Sequence, residues 1–538
     1  MRRILICAFV TFALAFLASV PRAQPASGTP KLVVLIVVDQ MRGDYVDRFQ
    51  HEWTGGLKRL VRDGAWFRHA AYPYLTTVTC AGHATVSTGT FPKTHGIIQN
   101  AWWDRDRQAM VTCTSDPASK NIGYGGLVPG GDSARNLLVP TFADVMRTEH
   151  GARIVTLALK ARSAIMLAGH GGEATWLTDT LDGWETSSMY GDGKPIPAVK
   201  AYVDAHPIDA DFGKTWTRLL PPATYHEVVD KTGEAPPSPW GATFPHVLLG
   251  RSDRPDAEYH ALWERSPYAD EYIARMAAAL VETRGLGTHD TTDVLGVSFS
   301  TPDLIGHAFG PRSQEIHDAY AHLDRTLAEF LDRLDHVIGR DRYAVALSAD
   351  HGVTEVPEQA VKAGKDAGRI DAGALAGAIE SAAQTALGPG RYVARENGND
   401  AYFLPGVYEK LKQTVGALDA IVKAAHAVPG VAQVFTAEQV SSSASTAGPL
   451  RAANLSFVLQ RSGDLVIVPK PGWIFSTSGT THGTSSDDDQ HVPIILYGVG
   501  VRRGTYSDPA TPADVAPTLA ALVGVTLSRT AAVPYPSR

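Results

Sequence analysis

Four acid- and imidazole-bearing pieces recur in this sequence beside apolar runs. Asp39 closes KLVVLIVVD (31–39). Asp303 follows VLGVSFS (294–300), and His307 comes four residues later in STPDLIGH. Asp350 and His351 end YAVALSADH (343–351), and His482 stands in TTHGT ahead of VPIILYG (492–498). Carboxylate oxygens and imidazole nitrogens are ligands that zinc accepts in tetrahedral arrays. One Asp-His pair is also an ordinary surface turn or helix cap, and D-x-x-x-H lies on one face of any helix. Four such pieces at the ends of buried runs are different, because buried charges without a purpose are costly.

The runs themselves predict how these residues meet. KLVVLIVVD, RIVTLAL (153–159), VLGVSFS, YAVALSAD and VPIILYG are continuous and β-branched, as in strands buried on both faces of a parallel sheet. Helical patterns lie between them. The clearest places apolar residues at Ile316, Tyr320, Leu323, Leu327, Phe330, Leu331 and Leu334. Alternating strands and helices predict an α/β fold, a doubly wound and mostly parallel sheet with helices on both faces. In such sheets ligands gather at the carboxyl edge, where these acids would stand. Residues 171–290 are rich in Pro, Gly, Trp and charge and predict an insertion or cap. Residues 366–449, Ala-rich with a small mixed segment, predict a second. SSSASTAG (441–448) predicts a loop.

The chain has 538 residues and a formal net charge of -7. It begins MRRILICAFVTFALAFLASVPRAQPA: Arg2 and Arg3, an apolar run from Ile4 to Val20, then small residues to Ala23. That layout predicts a cleaved secretory signal over residues 1–23 and a catalytic body over 24–538. The run is short for a membrane span of roughly 20 residues. The expected location is therefore periplasmic or secreted, with no membrane anchor after cleavage. The leader's arginines leave with it, so the body is more acidic still, which argues against a nucleic-acid-binding module. Cys80 and Cys113 remain. In an oxidising compartment two cysteines predict one disulfide, and the alternative is two buried thiols. The composition says nothing of oligomeric state.

The segment YPYLTTVTCAGHATVSTGTFPKTHGIIQNAWWD (72–104) is the most specific in the chain. It carries threonines, then G-H, then T-G-x-F-P-x-x-H-G-I-x-x-N. With the strand-end acids in their order, it resembles the alkaline phosphatase superfamily. The likeness is to its branch of nucleotide pyrophosphatase/phosphodiesterases and threonine-nucleophile exported bacterial alkaline phosphatases, and it runs from about Lys31 to Gly498.

The resemblance implies roles. The family's nucleophile stands four residues before the His of G-H and twenty-one before the Asn of the H-G-I segment. Thr79 meets both conditions, against His83 and Asn100, whereas Thr76 and Thr77 meet neither. Two zinc ions are implied. One would be held by Asp39, Thr79, Asp350 and His351. The other would be held by Asp303, His307 and His482, with His491 a competing choice for the last place. Asn100 would donate an amide to a phosphoryl oxygen. ALKARSAIMLAGH (158–170) resembles the family's K-x-R-S-A stretch, whose Lys and Arg contact phosphate; here they are Lys160 and Arg162, with Ala161 where the family often has Asp.

The chemistry follows from the residue types. A threonine hydroxyl is a poor nucleophile unless a dication lowers its pKa, as zinc does for water. The implied activity is phosphate monoester hydrolysis through a phospho-threonine, with small phosphate esters as substrates. A phosphodiesterase or nucleotide pyrophosphatase would share all seven metal-site residues and is the alternative. A remoter one is an inactive secreted binding protein, which should have lost a ligand or the nucleophile. A sulfatase would need a C/S-x-P-x-R pattern, which the residues around Thr79 and Cys80 do not form.

Overall fold

The computed structural model describes residues 28–181, 183–226 and 230–527. The leader expected over residues 1–23 lies outside the described residues.

The first apolar run becomes the strand Leu32–Val38, buried throughout. Its side chains alternate between two cores. Leu32, Val34, Ile36 and Val38 face a cluster that includes Tyr320, Leu323, Leu327 and Leu331 of the helix Gln314–Val337. Val33, Leu35 and Val37 face a second cluster with Phe142, Met146, Val515 and Leu519. Burying each such side chain contributes about 1.5–3 kcal/mol, so a strand with helices on both faces must be apolar at every position.

Leu32–Val38 pairs in parallel with Asp293–Phe299 on one side and Tyr343–Ser348 on the other. Ile154–Ala158 and then Glu173–Leu177 continue the parallel order beyond Asp293–Phe299. These five strands form the middle of a ten-stranded sheet. Its flanks are mixed. His491–Gly498 runs antiparallel to Tyr343–Ser348, and Ala65–Ala71 antiparallel to His491–Gly498. At the other side Trp184–Ser187 is antiparallel to Glu173–Leu177. Strand direction leaves no mark on an apolar run, so the sequence did not distinguish VPIILYG from its parallel neighbours. The reversal has a use. The loop entering an antiparallel strand lies at the edge where the parallel strands end, and that loop carries His482.

A smaller antiparallel sheet of Val393–Asn397, Asp400–Phe403, Leu465–Pro469 and Val431–Thr436 stands apart from the main one. With the helices Ala372–Leu387 and Ala417–His426 it encloses its own core, including Leu375, Ile379, Ile421, Leu465 and Ile467. No helix among the described residues is long and apolar enough to cross a membrane.

Candidate active site

Thr79 opens the helix Thr79–Thr88, every residue of which is buried. Val78 before it is extended, and Gly89 ends the helix in the left-handed conformation. Two features of the G-H pair seat this helix. At Gly82 an added methyl carbon would meet the Asp350 carbonyl oxygen at 2.1 Å, so only glycine lets the helix approach that strand end. His83 Nδ1 lies 2.9 Å from the Thr79 carbonyl oxygen and 3.2 Å from Asp350 Oδ2, while Nε2 lies 2.9 Å from Ser298 Oγ. Cys80 is joined to Cys113 by a disulfide, which ties the turn to the residue after the strand Ala109–Thr112.

The strand-end acids converge beside Thr79. Asp39 follows Leu32–Val38, and Asp350 follows Tyr343–Ser348 by one residue. Asp303 lies in the first turn of the helix Thr301–Phe309, and His307 one turn further on. His351 Nε2 is 3.5 Å from Thr79 Oγ1, 3.5 Å from Asp39 Oδ1 and 3.4 Å from Asp350 Oδ2. His307 Nε2 and His482 Nε2 are 3.2 and 3.5 Å from one oxygen of Asp303. The His482 ring stacks on His351 with centroids 3.5 Å apart. His491, the competing choice, is exposed and bonds to the Asp487 carbonyl instead.

Electrostatics ask for added cations. Asp39, Asp303 and Asp350 are 0, 3 and 0 % exposed, so water cannot screen them. One cation faces them: Lys160 Nζ donates at 2.5 Å to both Asp39 Oδ2 and Asp303 Oδ2. Sharing it, the two carboxylates respond oppositely. Burial and the charges of Asp303 and Asp350 push Asp39 well above the usual carboxylate range. Burial also acts against Asp303, but Lys160 and His307 outweigh it and hold Asp303 well below that range. Asp39 Oδ1 and Asp350 Oδ2 are buried without a hydrogen bond.

The histidines are oriented for the missing charge. His307, His482 and His351 place Nδ1 2.8, 2.8 and 2.9 Å from the carbonyl oxygens of Thr480, Thr77 and Gly352. With its proton on Nδ1 each ring would offer the Nε2 lone pair to a cation between it and the carboxylates; with no cation there, Asp303 outweighs burial and raises His307 above the usual histidine value. Burial pulls His351 down to about 3, so it is neutral, as a ligand must be. Asp303, His307 and His482 form one set of convergent donor atoms, and Asp39, Asp303 and His351 another. The donors present therefore fit zinc.

Three further residues were named by the sequence reading. Asn100 Oδ1 accepts from Cys80 N at 2.8 Å, which orients the amide and leaves its NH2 to donate. Arg162 lies in the first turn of the helix Ala161–Ala168, and its Nε is buried without a partner. Lys160 caps the same helix and, rather than pointing outward, is drawn onto the two acids. Sequence reasoning missed Gln40 and Asp489. Gln40 hydrogen-bonds both Asp303 and Asp350. Asp489, wholly buried, accepts from Thr354 Oγ1, Thr484 N and Thr484 Oγ1, and so ties the loop after His351 to the loop after His482. A polar residue directly behind a strand-end acid, and the acidic run 487–489, were the available signals.

A ten-stranded α/β sheet with acids and imidazoles grouped at its carboxyl edge beside a helix-opening threonine defines a phosphate-ester hydrolase of the alkaline phosphatase superfamily. The chain belongs to the type I phosphodiesterase / nucleotide pyrophosphatase family, matched over residues 33–491. It is 31% identical over 516 residues to alkaline phosphatase PafA of Elizabethkingia meningoseptica, covering 92% of each chain. The crystal structure of PafA superposes with a TM-score of 0.84 at 29% identity, over 95% of this chain and 99% of that one. Alkaline phosphatase PhoV of Synechococcus elongatus is 30% identical over 524 residues, 92% of this chain and 90% of its own. The likeness to ectonucleotide pyrophosphatase/phosphodiesterase family member 7 of Rattus norvegicus is shorter: 32% identity over 73 residues, 14% of this chain and 17% of that one.

Proposed function

We propose that this chain is an exported, zinc-dependent alkaline phosphatase that hydrolyses phosphate monoesters through a phospho-threonine on Thr79. The observation that carries the reading is the convergence on Thr79 of three buried carboxylates, two of them hydrogen-bonded to Lys160, and three histidines whose Nε2 atoms face those carboxylates. Export is supported by the leader in the sequence and by the disulfide beside the nucleophile.

The proposed ligand sets are Asp39, Thr79, Asp350 and His351 for one ion and Asp303, His307 and His482 for the other. Ions held there would supply Lewis-acid charge for a phosphoryl transfer. Thr79 Oγ1 gives up its proton and forms the bond to phosphorus as the ester oxygen departs with its electron pair and takes a proton from solvent. Water then displaces Oγ1 from the other face and releases phosphate. Asn100, Lys160 and Arg162 bind the non-bridging oxygens. A monoester carries one more charged oxygen than a diester, and an Arg fork with a Lys point charge rewards it. Relatives named alkaline phosphatases match over most of their length, whereas the sequence match to ectonucleotide pyrophosphatase/phosphodiesterase family member 7 spans 73 residues.

The test pairs metal analysis with a substrate panel. Purified parent enzyme should hold about two zinc ions, and His307→Ala and Asp350→Ala should each hold fewer. Aryl and alkyl monoesters should be cleaved faster than the matching diesters, and Arg162→Ala should slow monoesters far more than diesters. Equal losses on both substrates, or a parent that prefers diesters, would favour the phosphodiesterase reading.

A further inference from the structure

Gln40 follows Asp39 at the end of the first strand and is 1 % exposed. Its φ is 66°, one of four positive values among the described non-glycine residues. A side chain in that region costs on the order of 1–3 kcal/mol, a cost glycine would avoid. The strain persists only if the Gln side chain returns something there, and its bonds show what.

The backbone N–H of Gln40 donates to Asp350 Oδ1 at 3.1 Å, and its Nε2 donates to Asp303 Oδ1 at 2.7 Å. Asp350 belongs to one of the two proposed ligand sets and Asp303 to the other. The amide orientation is fixed by charge, since its oxygen turned toward Asp303 would meet a carboxylate. That oxygen instead points at Gly306 and has no donor. A methyl carbon added at Gly306 would lie 1.8 Å from Gln40 Oε1, so the glycine in D-x-x-G-H is the space the amide occupies.

Resting on the metal-site reading above, we propose that Gln40 is a positioning residue that couples the two metal sites. Its strained backbone holds Asp350, and its side chain holds the Asp303 oxygen that faces His307 and His482. Lys160 pulls the other oxygen of Asp303 toward Asp39, and the Gln40 amide, at 2.7 Å, is nearer to Oδ1 than His307 at 3.2 Å or His482 at 3.5 Å. Gly306 serves by leaving room.

Gln40→Gly separates this role from a structural one. It relieves the backbone strain, keeps the N–H for Asp350 and removes only the amide on Asp303. Zinc affinity is read by competition with a chelator, together with thermal unfolding of metal-free protein. The expected result is one ion weakened at least tenfold, the other within about twofold of the parent, and a metal-free melting temperature equal to the parent's or higher. Gly306→Ala, which drives the amide off Asp303, should weaken the same ion. Two ions bound with parental affinity in Gln40→Gly overturn the coupling role while leaving the site reading intact. Equal weakening of both ions, or a lowered metal-free melting temperature that accounts for the loss, also overturns it. His307→Ala is the control: if it does not remove an ion from the parent, the site reading itself fails and the coupling role falls with it.

Discussion

Replacing Lys160 with methionine should weaken the metal-free protein far more than the zinc-bound protein. Without metal, Lys160 is hydrogen-bonded to both Asp39 and Asp303, at 2.5 Å to each, and it is 8 % exposed. Removing one member of a buried ion pair costs about 3–5 kcal/mol, because the remaining charge stays buried. With two dications in place the carboxylates are already balanced, and the substitution should cost about 1 kcal/mol, the typical value for a point change. The difference, about 3 kcal/mol, must reappear as tighter zinc binding, because coupling between sites is reciprocal. That corresponds to roughly a hundredfold in affinity. The ammonium thus competes with zinc for the same oxygens, and methionine keeps most of the side chain's bulk while ending the competition. Urea unfolding with chelator and with zinc gives the two stabilities, and a zinc competition titration gives the affinity independently. Monoester turnover should fall even as zinc binds more tightly, if Lys160 contacts substrate as proposed. Equal destabilisation in both states with unchanged zinc affinity would refute the reasoning.

Other outcomes follow from the same geometry. Thr79→Ala should remove nearly all turnover and Thr79→Ser should keep part of it; an alanine variant within about tenfold of the parent, some 1.4 kcal/mol of barrier, would acquit Thr79 as nucleophile. Cys80 and Cys113 are 33 residues apart, and Cys113→Ser should cost about 3–4 kcal/mol in urea unfolding, with loss of the bridge also visible as free thiol in denatured, unreduced protein. Two titratable thiols in the parent would contradict the bridge. Burial pushes Asp270 from the usual 3.8 up to about 7. From pH 4 to 7 the unfolded chain ionises this group while the folded chain keeps its proton, so stability declines over that window and levels off above it. Asp270→Asn should therefore gain on the parent as pH rises from about 4 to 7 and gain nothing further above; a constant difference across the range would argue against a buried, protonated Asp270.

What the sequence made legible was chemistry that residue types announce. Acids at the ends of β-branched runs and a pair of cysteines have a physical signature, and the family resemblance singled out a threonine by its spacing from G-H and a distant asparagine. The structure brings Asp39, Thr79, Asp303, His307, Asp350, His351 and His482 together from five separate stretches. The rest depended on relations that one residue cannot announce. VPIILYG reads alike in either direction, so its antiparallel course was hidden. Gln40 acts through a left-handed backbone and an amide aimed at an acid far along the chain. Lys160 was read as a substrate contact, but in the metal-free arrangement the nearest uncompensated charges are Asp39 and Asp303, and they capture it.

The reversed strand His491–Gly498 also bears on how the protein is made. The loop before it is the last of the ligand-bearing stretches to be synthesised, so a chain emerging from its N-terminus presents Asp39 and Thr79 long before His482. Until that loop arrives, Asp303 and His307 lack their second imidazole, and the ring stacked on His351 is absent. On the proposed ligand sets, a nascent chain would be a poor zinc trap, and metal uptake would be a completion step that waits for the loop carrying His482.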